Sequence, residues 1–177
     1  MENNKIYISK TWDGKEANSN EKAEVEFFTL NDSLMVFVKA PFHGNNAPFE
    51  PAGSLDKLWE YEVVELFLIG DDLEYLEIEL GPHGHYLVLQ LKGIRQIVRK
   101  GLEIDYRAEI SGNKWSAVAR IPISYLPQKI NCSNAYAIHG EGEKRRYLAA
   151  FPLGGEKPDF HRIDVCLGIY KDISFLK

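Results

Sequence analysis

The sequence predicts an all-β fold, a sandwich or barrel of many short, tightly connected strands with little helix. Three observations support this prediction. Hydrophobic and polar residues alternate at period two in many segments, which places one set of side chains in a core and the other set outward. Turn-forming residues separate these segments. Aromatic residues form 12% of the chain, and their flat rings pack well on a pleated sheet.

The predicted strands follow one another along the whole chain. In order, they cover residues 23–30, 34–40, 61–69, 74–80, 85–91, 103–110, 114–121, 134–139 and 146–151, with a last candidate at 165–170. Turns rich in Asn, Asp and Gly lie between them. Helix is predicted only as short turns, one at 124–126 between Pro122 and Pro127 and one at 55–59.

Length and composition indicate one globular domain over residues 1–177. The chain is 45% hydrophobic and 27% charged, with no internal repeat and no linker-like segment. Its net charge of −5 argues against nucleic acid as a partner, because binding phosphates needs a concentrated basic surface. The sequence lacks the long apolar run of a membrane-spanning helix and the apolar core of a signal peptide. We therefore expect a cytoplasmic protein without a membrane partner.

The most unusual feature is an acidic stretch between Lys57 and Lys92, which contains eight acids and no Lys or Arg. In the predicted strand 74–80, the core set is apolar. Alternation therefore places Glu77 and Glu79 side by side on the opposite face.

The turn at 81–84 is expected to close a hairpin with the next strand. That register places Leu80 opposite His85. It also places Glu79 opposite Tyr86, so the outward face becomes a patch of carboxylates, phenols and an amide. Such a patch could offer many hydrogen-bond acceptors to the hydroxyl groups of a ligand. It could equally be a solvated face whose acids pair with Lys or Arg on a neighbouring strand.

Glu65 is a second notable acid, because alternation along strand 61–69 places it among apolar residues. A buried charge without a partner costs several kcal/mol, so such a residue usually has a partner, a metal or a ligand. A salt bridge to Arg120 or Arg146 is the structural alternative to a binding role.

Short sequence blocks along the chain carry a family resemblance. They are TWDG at 11–14, LWEYEVVELFL at 58–68, EYLEIELGPHGHYLVLQL at 74–91, AIHG at 137–140, KRRY at 144–147 and KPDFH at 157–161. These blocks resemble an uncharacterised family of animal and microbial open-reading-frame proteins. More distantly, their order is similar to family-nine carbohydrate-binding modules and the DOMON-like sandwich superfamily. That second similarity depends on the spacing from Trp59 to Glu65 and on the Tyr-Leu-Glu strand.

The resemblance implies a two-sheet antiparallel β-sandwich of the jelly-roll type that binds a sugar at one end or face. In those modules a tryptophan clamps the sugar ring and a nearby glutamate bonds its hydroxyls. The matching residues here are Trp59 and Glu65. A second clamp aromatic is expected late in the chain, but no Trp follows Trp115, and Phe160 is the candidate substitute.

The predicted ligand-binding set combines aromatic rings with charged and polar groups. Its members are Trp59, Tyr61, Glu65, Glu77, Arg145, Phe160 and His161. Pyranose rings stack their CH groups on aromatic rings, and their hydroxyls bond to carboxylates, Arg and amides, which is the chemistry that this set supplies. Trp59 could alternatively be a core residue at the start of a strand.

Metal and cofactor signals are weak, and we predict no metal and no cofactor. His83 and His85 have alternate-strand spacing but lack a third zinc ligand nearby. Calcium could bind through Asp71, Asp72 and Glu74, although a Gly-Asp-Asp sequence is more often just a turn.

These features favour a non-catalytic domain that binds a carbohydrate or a similar polyhydroxylated small molecule. One alternative is an enzyme of the glycoside-hydrolase type that uses paired carboxylates, with Glu77 and Glu79 as a candidate pair. Glu65 with His85 is the other pair. The third possibility is a cytosolic protein-interaction domain that uses the long loop at 41–58, which has no pattern of its own.

Overall fold

The computed structural model describes residues 4–152 and 154–163, which form two antiparallel β-sheets around one main core. The strands of these residues are β1 (Asn4–Ile8), β2 (Lys10–Thr11), β3 (Ala23–Leu30), β4 (Ser33–Pro41), β5 (Val63–Gly70), β6 (Glu74–Leu80), β7 (Tyr86–Lys92), β8 (Ile97–Arg99), β9 (Asp105–Ser111), β10 (Lys114–Pro122), β11 (Ile130–His139) and β12 (Arg146–Ala149). One sheet has five strands in the order β1-β3-β4-β10-β9. The other has seven in the order β2-β12-β11-β5-β6-β7-β8. The predicted all-β, two-sheet antiparallel fold is confirmed.

Helix is limited, within the described residues, to three single 3-10 turns at Leu58–Glu60, Ile123–Tyr125 and Gly142–Lys144. The first two overlap the short helical pieces predicted at 55–59 and 124–126. None of these turns is long and apolar enough to cross a membrane.

The predicted strands up to residue 151 are all present, and those at Ala23–Leu30 and Glu74–Leu80 have the predicted bounds. Strands β1, β2 and β8 are not predicted, because segments of two to five residues carry too little alternation. The candidate strand at 165–170 lies outside the described residues.

The main hydrophobic core lies between the two sheets. Its fully buried members include Val25, Phe27 and Val36 from the five-stranded sheet and Leu66, Leu76 and Ile78 from the seven-stranded sheet. Each strand contributes alternate residues to this core, so the intervening residues point away from it. We call the side of the seven-stranded sheet that meets this core its inner face, and the opposite side its outer face.

The hairpin between β6 and β7 has a different register from the predicted one. Leu80 pairs with Tyr86 rather than with His85. The turn is longer than expected, because the Gly81 amide donates to the His85 carbonyl at 2.9 Å and keeps His85 out of the ladder. The two buried glutamates of β6 consequently face leucines of β7. The predicted patch of carboxylates, phenols and an amide is therefore wrong.

The outer face is itself buried, so the alternative of a solvated acidic face is also wrong. A second hydrophobic cluster lies on this face and includes Phe67, Tyr75, Leu89, Tyr136 and Phe160. Two pieces of chain supply its cover, the 3-10 turn at 58–60 and the segment at 158–163, through Leu58, Phe160 and Ile163. The outer face is therefore a second layer of the protein.

The loop at 41–58 is tied to the body of the sandwich. The backbone amides of His43 and Asn45 donate to the Glu62 carboxylate at 3.0 and 3.4 Å. Further along the loop, the side chain of Phe49 is fully exposed. The loop is thus anchored close to its start and presents an apolar ring to solvent.

Candidate functional site

A cavity of about 370 Å³ opens on the outer face of the seven-stranded sheet. Its lining includes five of the predicted ligand-binding residues, namely Trp59, Glu65, Glu77, Phe160 and His161. The other walls are mainly apolar side chains of β7, β8 and β11. A volume of this size is within the usual range of small-molecule sites.

Trp59 forms part of the rim of this cavity. It lies in the 3-10 turn at 58–60, where the neighbouring Leu58 is buried in the outer cluster and anchors the turn. The chain enters the turn through Lys57, whose φ of 60° is in the left-handed region. The Trp59 side chain is 38% exposed, so the alternative of a core tryptophan is wrong.

Arg145 and Tyr61 lie beside the cavity rather than in its lining. The Arg145 guanidinium donates to the backbone carbonyls of Trp59 and Glu60, and to that of Gly140 at 3.4 Å. Arg145 therefore braces the turn that carries the indole. Tyr61 packs against the outer cluster, and its amide closes the same turn by donating to the Leu58 carbonyl at 2.9 Å. The sequence predicted direct ligand contacts for both residues, and their observed positions are those of supports.

Three glutamates lie next to one another on the outer face. Glu65 of β5 pairs directly with Glu79 of β6, and Glu77 precedes Glu79 by two residues on the same face. Their exposed fractions are 2% for Glu65, 4% for Glu77 and 0% for Glu79. Within the described part of the chain, Glu77 Oε2 and both carboxyl oxygens of Glu79 have no hydrogen-bond partner of normal geometry. Glu65 and Glu77 line the cavity, and Glu79 lies behind them.

Burial dominates the electrostatics of this carboxyl cluster. It raises the pKa of Glu65 well above its usual range, and the neighbouring Glu77 adds to this while Arg145 opposes it. Burial likewise raises the pKa of Glu79, with further contributions from Glu65 and Glu77. The pKa of Glu77 rises to about 7, again through burial. Desolvation and mutual repulsion thus both favour the protonated, neutral form of these acids.

The predicted salt-bridge partners of Glu65 are engaged elsewhere. Arg120 donates to Ser33 at 2.8 Å and to Asp32 at 3.2 Å. Arg146 donates to Glu21 at 2.7 Å. The structural alternative for Glu65, an ion pair with one of these arginines, is therefore wrong.

His161 faces the cluster and is oriented by Tyr75. The Tyr75 hydroxyl accepts a hydrogen bond from the Arg95 amide at 3.0 Å and lies 2.8 Å from His161 Nδ1. Burial lowers the pKa of His161 to about 4, so the ring is neutral at physiological pH. Because the phenolic oxygen already accepts from the Arg95 amide, we assign the phenolic proton to the bond with Nδ1, which leaves the imidazole proton on Nε2, 4.0 Å from Glu77 Oε2. A donor and an acceptor thus face each other at the cavity without bonding directly.

Ring stacking, hydrogen bonds and the ion pair of Arg95 with Asp159 fix the segment at 158–163 to the sheet. The Phe160 ring stacks on Tyr136 with centroids 4.0 Å apart and planes 8° apart. The adjacent Asp159 accepts a hydrogen bond from Arg95 at 2.5 Å. Phe160 is consequently a wall of the cavity whose ring is already stacked, and it is not a free second clamp.

The two histidines of the β6–β7 turn serve the long loop. His83 Nε2 lies 3.1 Å from the Asn45 carbonyl, and His85 Nε2 lies 2.8 Å from the Glu50 carbonyl. Neither histidine lines the cavity, so the structure does not bring Glu65 and His85 together as a catalytic pair.

The acidic turn at 71–74 is held by lysines. Asp71 lies 3.7 Å from Lys129, and Glu74 lies 2.8 Å from Lys92. No group of three His, Cys, Asp or Glu residues in positions 4–152 and 154–163 has the geometry to hold a metal ion. The calcium ligands considered from the sequence thus form no such group.

A separate polar cluster at one end of the sandwich was not predicted. Glu21 bonds Arg146 and lies 3.2 Å from His139 Nε2. Burial opposes ionisation of Glu21, but the hydrogen bonds from Arg146 and the Asn18 amide, together with the charge of Arg146, outweigh it and lower the pKa to about 2. His43 stacks on His139 with ring centroids 3.5 Å apart. Because the charges of Glu21 and Arg146 are paired with each other, we interpret this cluster as structural support.

Sequence comparison reveals relatives that span nearly the whole chain. The human UPF0462 protein C4orf33 is 39% identical over 180 residues, which cover 95% of this chain and 86% of the human protein. The zebrafish UPF0462 protein C4orf33 homolog is 38% identical over 170 residues, which cover 90% and 85% of the two chains. No family model matches the chain.

Structural comparison identifies a solved protein with the same architecture. A crystal structure of a candidate carbohydrate-binding protein from Bacteroides uniformis superimposes with a TM-score of 0.71 over 92% of this chain and 84% of that one. The two sequences are 17% identical. The likeness therefore extends to the sandwich fold.

Proposed function

The chain belongs to the UPF0462 protein family, and from the cavity on its outer face we propose that it is a non-catalytic binding protein for a carbohydrate or a similar polyhydroxylated small molecule. One observation carries the proposal. A partly exposed tryptophan, Trp59, shares a cavity with the buried carboxyl groups of Glu65 and Glu77.

The chemistry of the cavity fits a ring with several hydroxyl groups. The Trp59 indole can stack on the CH groups of a pyranose, a contact that combines apolar burial with the ring's electrostatics. Glu77 Oε2 offers an unpartnered acceptor, and His161 Nε2–H offers a donor 4.0 Å away. A ligand hydroxyl between these two atoms could accept from the imidazole and donate to the carboxyl group, which would satisfy both. The architecture shared with a candidate carbohydrate-binding protein supports the same class of ligand.

The arrangement of the acids favours binding over glycoside hydrolysis. In glycosidases the two carboxyl groups flank the scissile bond, one on each side of the sugar, about 5 to 9.5 Å apart. Here Glu65, Glu77 and Glu79 project from one face of a single sheet. A sugar in the cavity would therefore lie over the acids and not between them.

A protein-interaction role for the loop at 41–58 is the second candidate function. The observation in its favour is the fully exposed ring of Phe49, which lies outside the cavity lining. The predicted cytoplasmic location and the predicted lack of nucleic-acid and membrane partners remain predictions.

Titration calorimetry with a panel of mono- and disaccharides tests the proposed function. We expect binding by the wild-type protein, and a loss of about ten-fold in affinity when Trp59→Ala removes the stacking surface. Phe49→Ala is the matched control, because it removes an exposed ring outside the cavity and should leave sugar affinity unchanged.

Three results would decide against this proposal. Absence of binding for every sugar would exclude carbohydrate as the ligand. Capture of a protein partner that depends on Phe49 and is indifferent to Trp59→Ala would support the interaction role instead. Turnover of chromogenic glycosides that disappears in Glu77→Gln would establish an enzyme.

A further inference from the structure

Building on the proposed function, we infer that the bound molecule carries a protonated amine, as an amino sugar does, and that the carboxyl cluster is its counter-ion. The cluster comprises Glu65, Glu77 and Glu79. Glu77 is the member that meets the ammonium group, because it lines the cavity with an unpartnered oxygen while 4% exposed.

The geometry concentrates three acids in a very small volume. Glu65 and Glu79 are a directly opposed pair on adjacent antiparallel strands, so their Cβ atoms lie about 5 Å apart. Glu77 is on the same face two residues along the strand, which places its Cα about 7 Å from that of Glu79. If all three were ionised without a counter-charge, desolvation and mutual repulsion would strongly destabilise the fold.

The cationic side chains nearest to the cluster do not neutralise it by direct contact. Arg145 directs its guanidinium to backbone carbonyls of the turn at 58–60 and of Gly140. Arg95 lines the cavity and its charge acts to lower the pKa of Glu77, but its guanidinium is paired with Asp159 at 2.5 Å. His161 is held neutral by burial and receives the Tyr75 bond on Nδ1, so it adds no positive charge. The described residues thus leave room at the cavity for a positive charge from a ligand.

An ammonium group fits this opening better than a neutral hydroxyl. It has three donors and a full positive charge, whereas a hydroxyl has one donor, and charge-assisted hydrogen bonds are roughly twice as strong as neutral ones. The partly exposed Trp59 indole lines the same cavity, and aromatic faces attract cations; the Arg145 guanidinium already lies over the Tyr147 ring, 5.7 Å from its centroid. A cavity lined by both carboxyl groups and an aromatic ring suits a cationic nitrogen, because both kinds of group attract positive charge.

Proton movement provides a second signature of an amine. The titratable and charged groups that face the cluster are Tyr75, Tyr136, Asp159, His161, Arg95 and Arg145. Burial raises the pKa of Tyr75 to about 12 and that of Tyr136 further, and it lowers the pKa of His161 to about 4, so none of these three groups titrates near neutrality. An arriving ammonium stabilises the ionised carboxylates, so its binding should expel a proton from the cluster into the buffer. A neutral sugar should bind without that release.

Matched sugar series test this inference in the full chain at neutral pH. We would compare glucose, glucosamine and N-acetylglucosamine, and the corresponding galactose series, by calorimetry in two buffers with different ionisation enthalpies. In at least one series the affinity for the free amine should be at least about ten-fold higher than the affinity for the parent sugar and for the acetylated sugar. Its apparent enthalpy should differ between the buffers because a proton is released.

Two variants locate the effect. Glu77→Gln should abolish the preference for the amine and reduce the proton release, because the amide oxygen can still accept a hydrogen bond from a hydroxyl but carries no charge, so the amine should lose more affinity than the parent sugar. Glu74→Gln, which removes an acid of the same strand that is paired with Lys92 outside the cavity, should keep both the preference and the release.

The outcomes separate this inference from the proposed function. Binding of the parent sugars with equal or weaker binding of their amines would overturn the amine inference and leave the carbohydrate proposal standing. Tight amine binding that Glu77→Gln leaves unchanged, with no proton release in the wild-type protein, would also overturn it. Failure of all the sugars to bind would overturn both.

Discussion

The inner and outer faces of the seven-stranded sheet use the same strands in opposite ways. On β6, Leu76 and Ile78 point inward and pack against the other sheet, whereas Glu77 and Glu79 point outward. Both faces are buried, the inner one by a sheet and the outer one by a 3-10 turn and the segment at 158–163. The difference is that the outer layer encloses carboxyl groups and a cavity.

This difference separates the contributions of the two faces. Apolar burial on the inner face is the dominant favourable term in folding. Carboxyl groups buried without ion-pair partners act in the opposite direction, and apolar residues of similar volume would serve stability at least as well. Stability therefore does not account for the acids of the outer face, and the proposed ligand binding offers a reason for them.

A matched pair of leucine truncations should produce the largest effect and test the comparison directly. Leu76 is fully buried in the inter-sheet core, and Leu89 lines the outer cavity. Leu76→Ala should destabilise the fold by about 2–5 kcal/mol, because it leaves a hole in close-packed surroundings. The loss of unfolding free energy for Leu89→Ala should be smaller than that for Leu76→Ala by at least about 1 kcal/mol, since removing the Leu89 side chain enlarges an existing cavity. Urea unfolding of the two variants measures this difference, and equal losses would contradict it.

The dependence of stability on pH should give the next largest effect. The pKa of Glu77 is about 7 in the folded protein against a reference value of 4.5, so between these values the folded state binds more protons than the unfolded state. Its contribution to stability is complete below pH 4.5 and is lost as the pH rises to 7. As the pH rises from 4.5 to 7, the free energy of unfolding of Glu77→Gln should therefore increase relative to that of wild type by on the order of 1–3 kcal/mol.

Measuring the difference between the two proteins is necessary because other groups titrate in the same range. His139 and His161, whose pKa values are lowered to about 4, make the fold more stable as the pH rises. Urea unfolding at several pH values would be compared for wild type, Glu77→Gln and Glu74→Gln. Glu74→Gln is the control for the loss of an acid outside the cavity. A stability difference between wild type and Glu77→Gln that stayed constant with pH would show that the Glu77 carboxyl group has an ordinary pKa.

Much of the fold could be predicted because period-two alternation is a local property of the sequence. It correctly assigned the two faces of β6 and the burial of Glu65 on β5. It failed on β7, where the hairpin turn includes His85, and a shift of one residue moves every side chain to the other face. The register of a hairpin depends on turn geometry, which alternation does not encode.

The site could be predicted only in part, for a similar reason. The blocks around Trp59 and Glu65 pointed to two residues that line the cavity. The cover at 158–163 has no alternation, so its position over the sheet could not be derived. Alternation did place Glu79 beside Glu77, but the sequence carried no sign that this face would be buried. Contacts of that kind depend on tertiary packing.

Replacement of Arg145 should produce the smallest effect, and it decides whether this residue contacts the ligand or supports the outer layer. Its planar guanidinium donates to two successive carbonyls of the turn that carries Trp59, a geometry that the single ammonium of lysine cannot reproduce. Arg145→Lys should weaken sugar binding by about three- to ten-fold and change the free energy of unfolding by less than about 1 kcal/mol. Calorimetry and urea unfolding measure the two quantities.

A double-mutant cycle distinguishes support from contact. If Arg145 acts through the indole, the double variant Trp59→Ala, Arg145→Lys should bind sugar no more weakly than Trp59→Ala alone, because the group that the arginine positions is already absent. If the guanidinium bonds the ligand directly, as the sequence suggested, the two losses should add. Since the hydrogen bonds of Arg145 end on the backbone of the turn and its side chain is absent from the cavity lining, we expect the non-additive result.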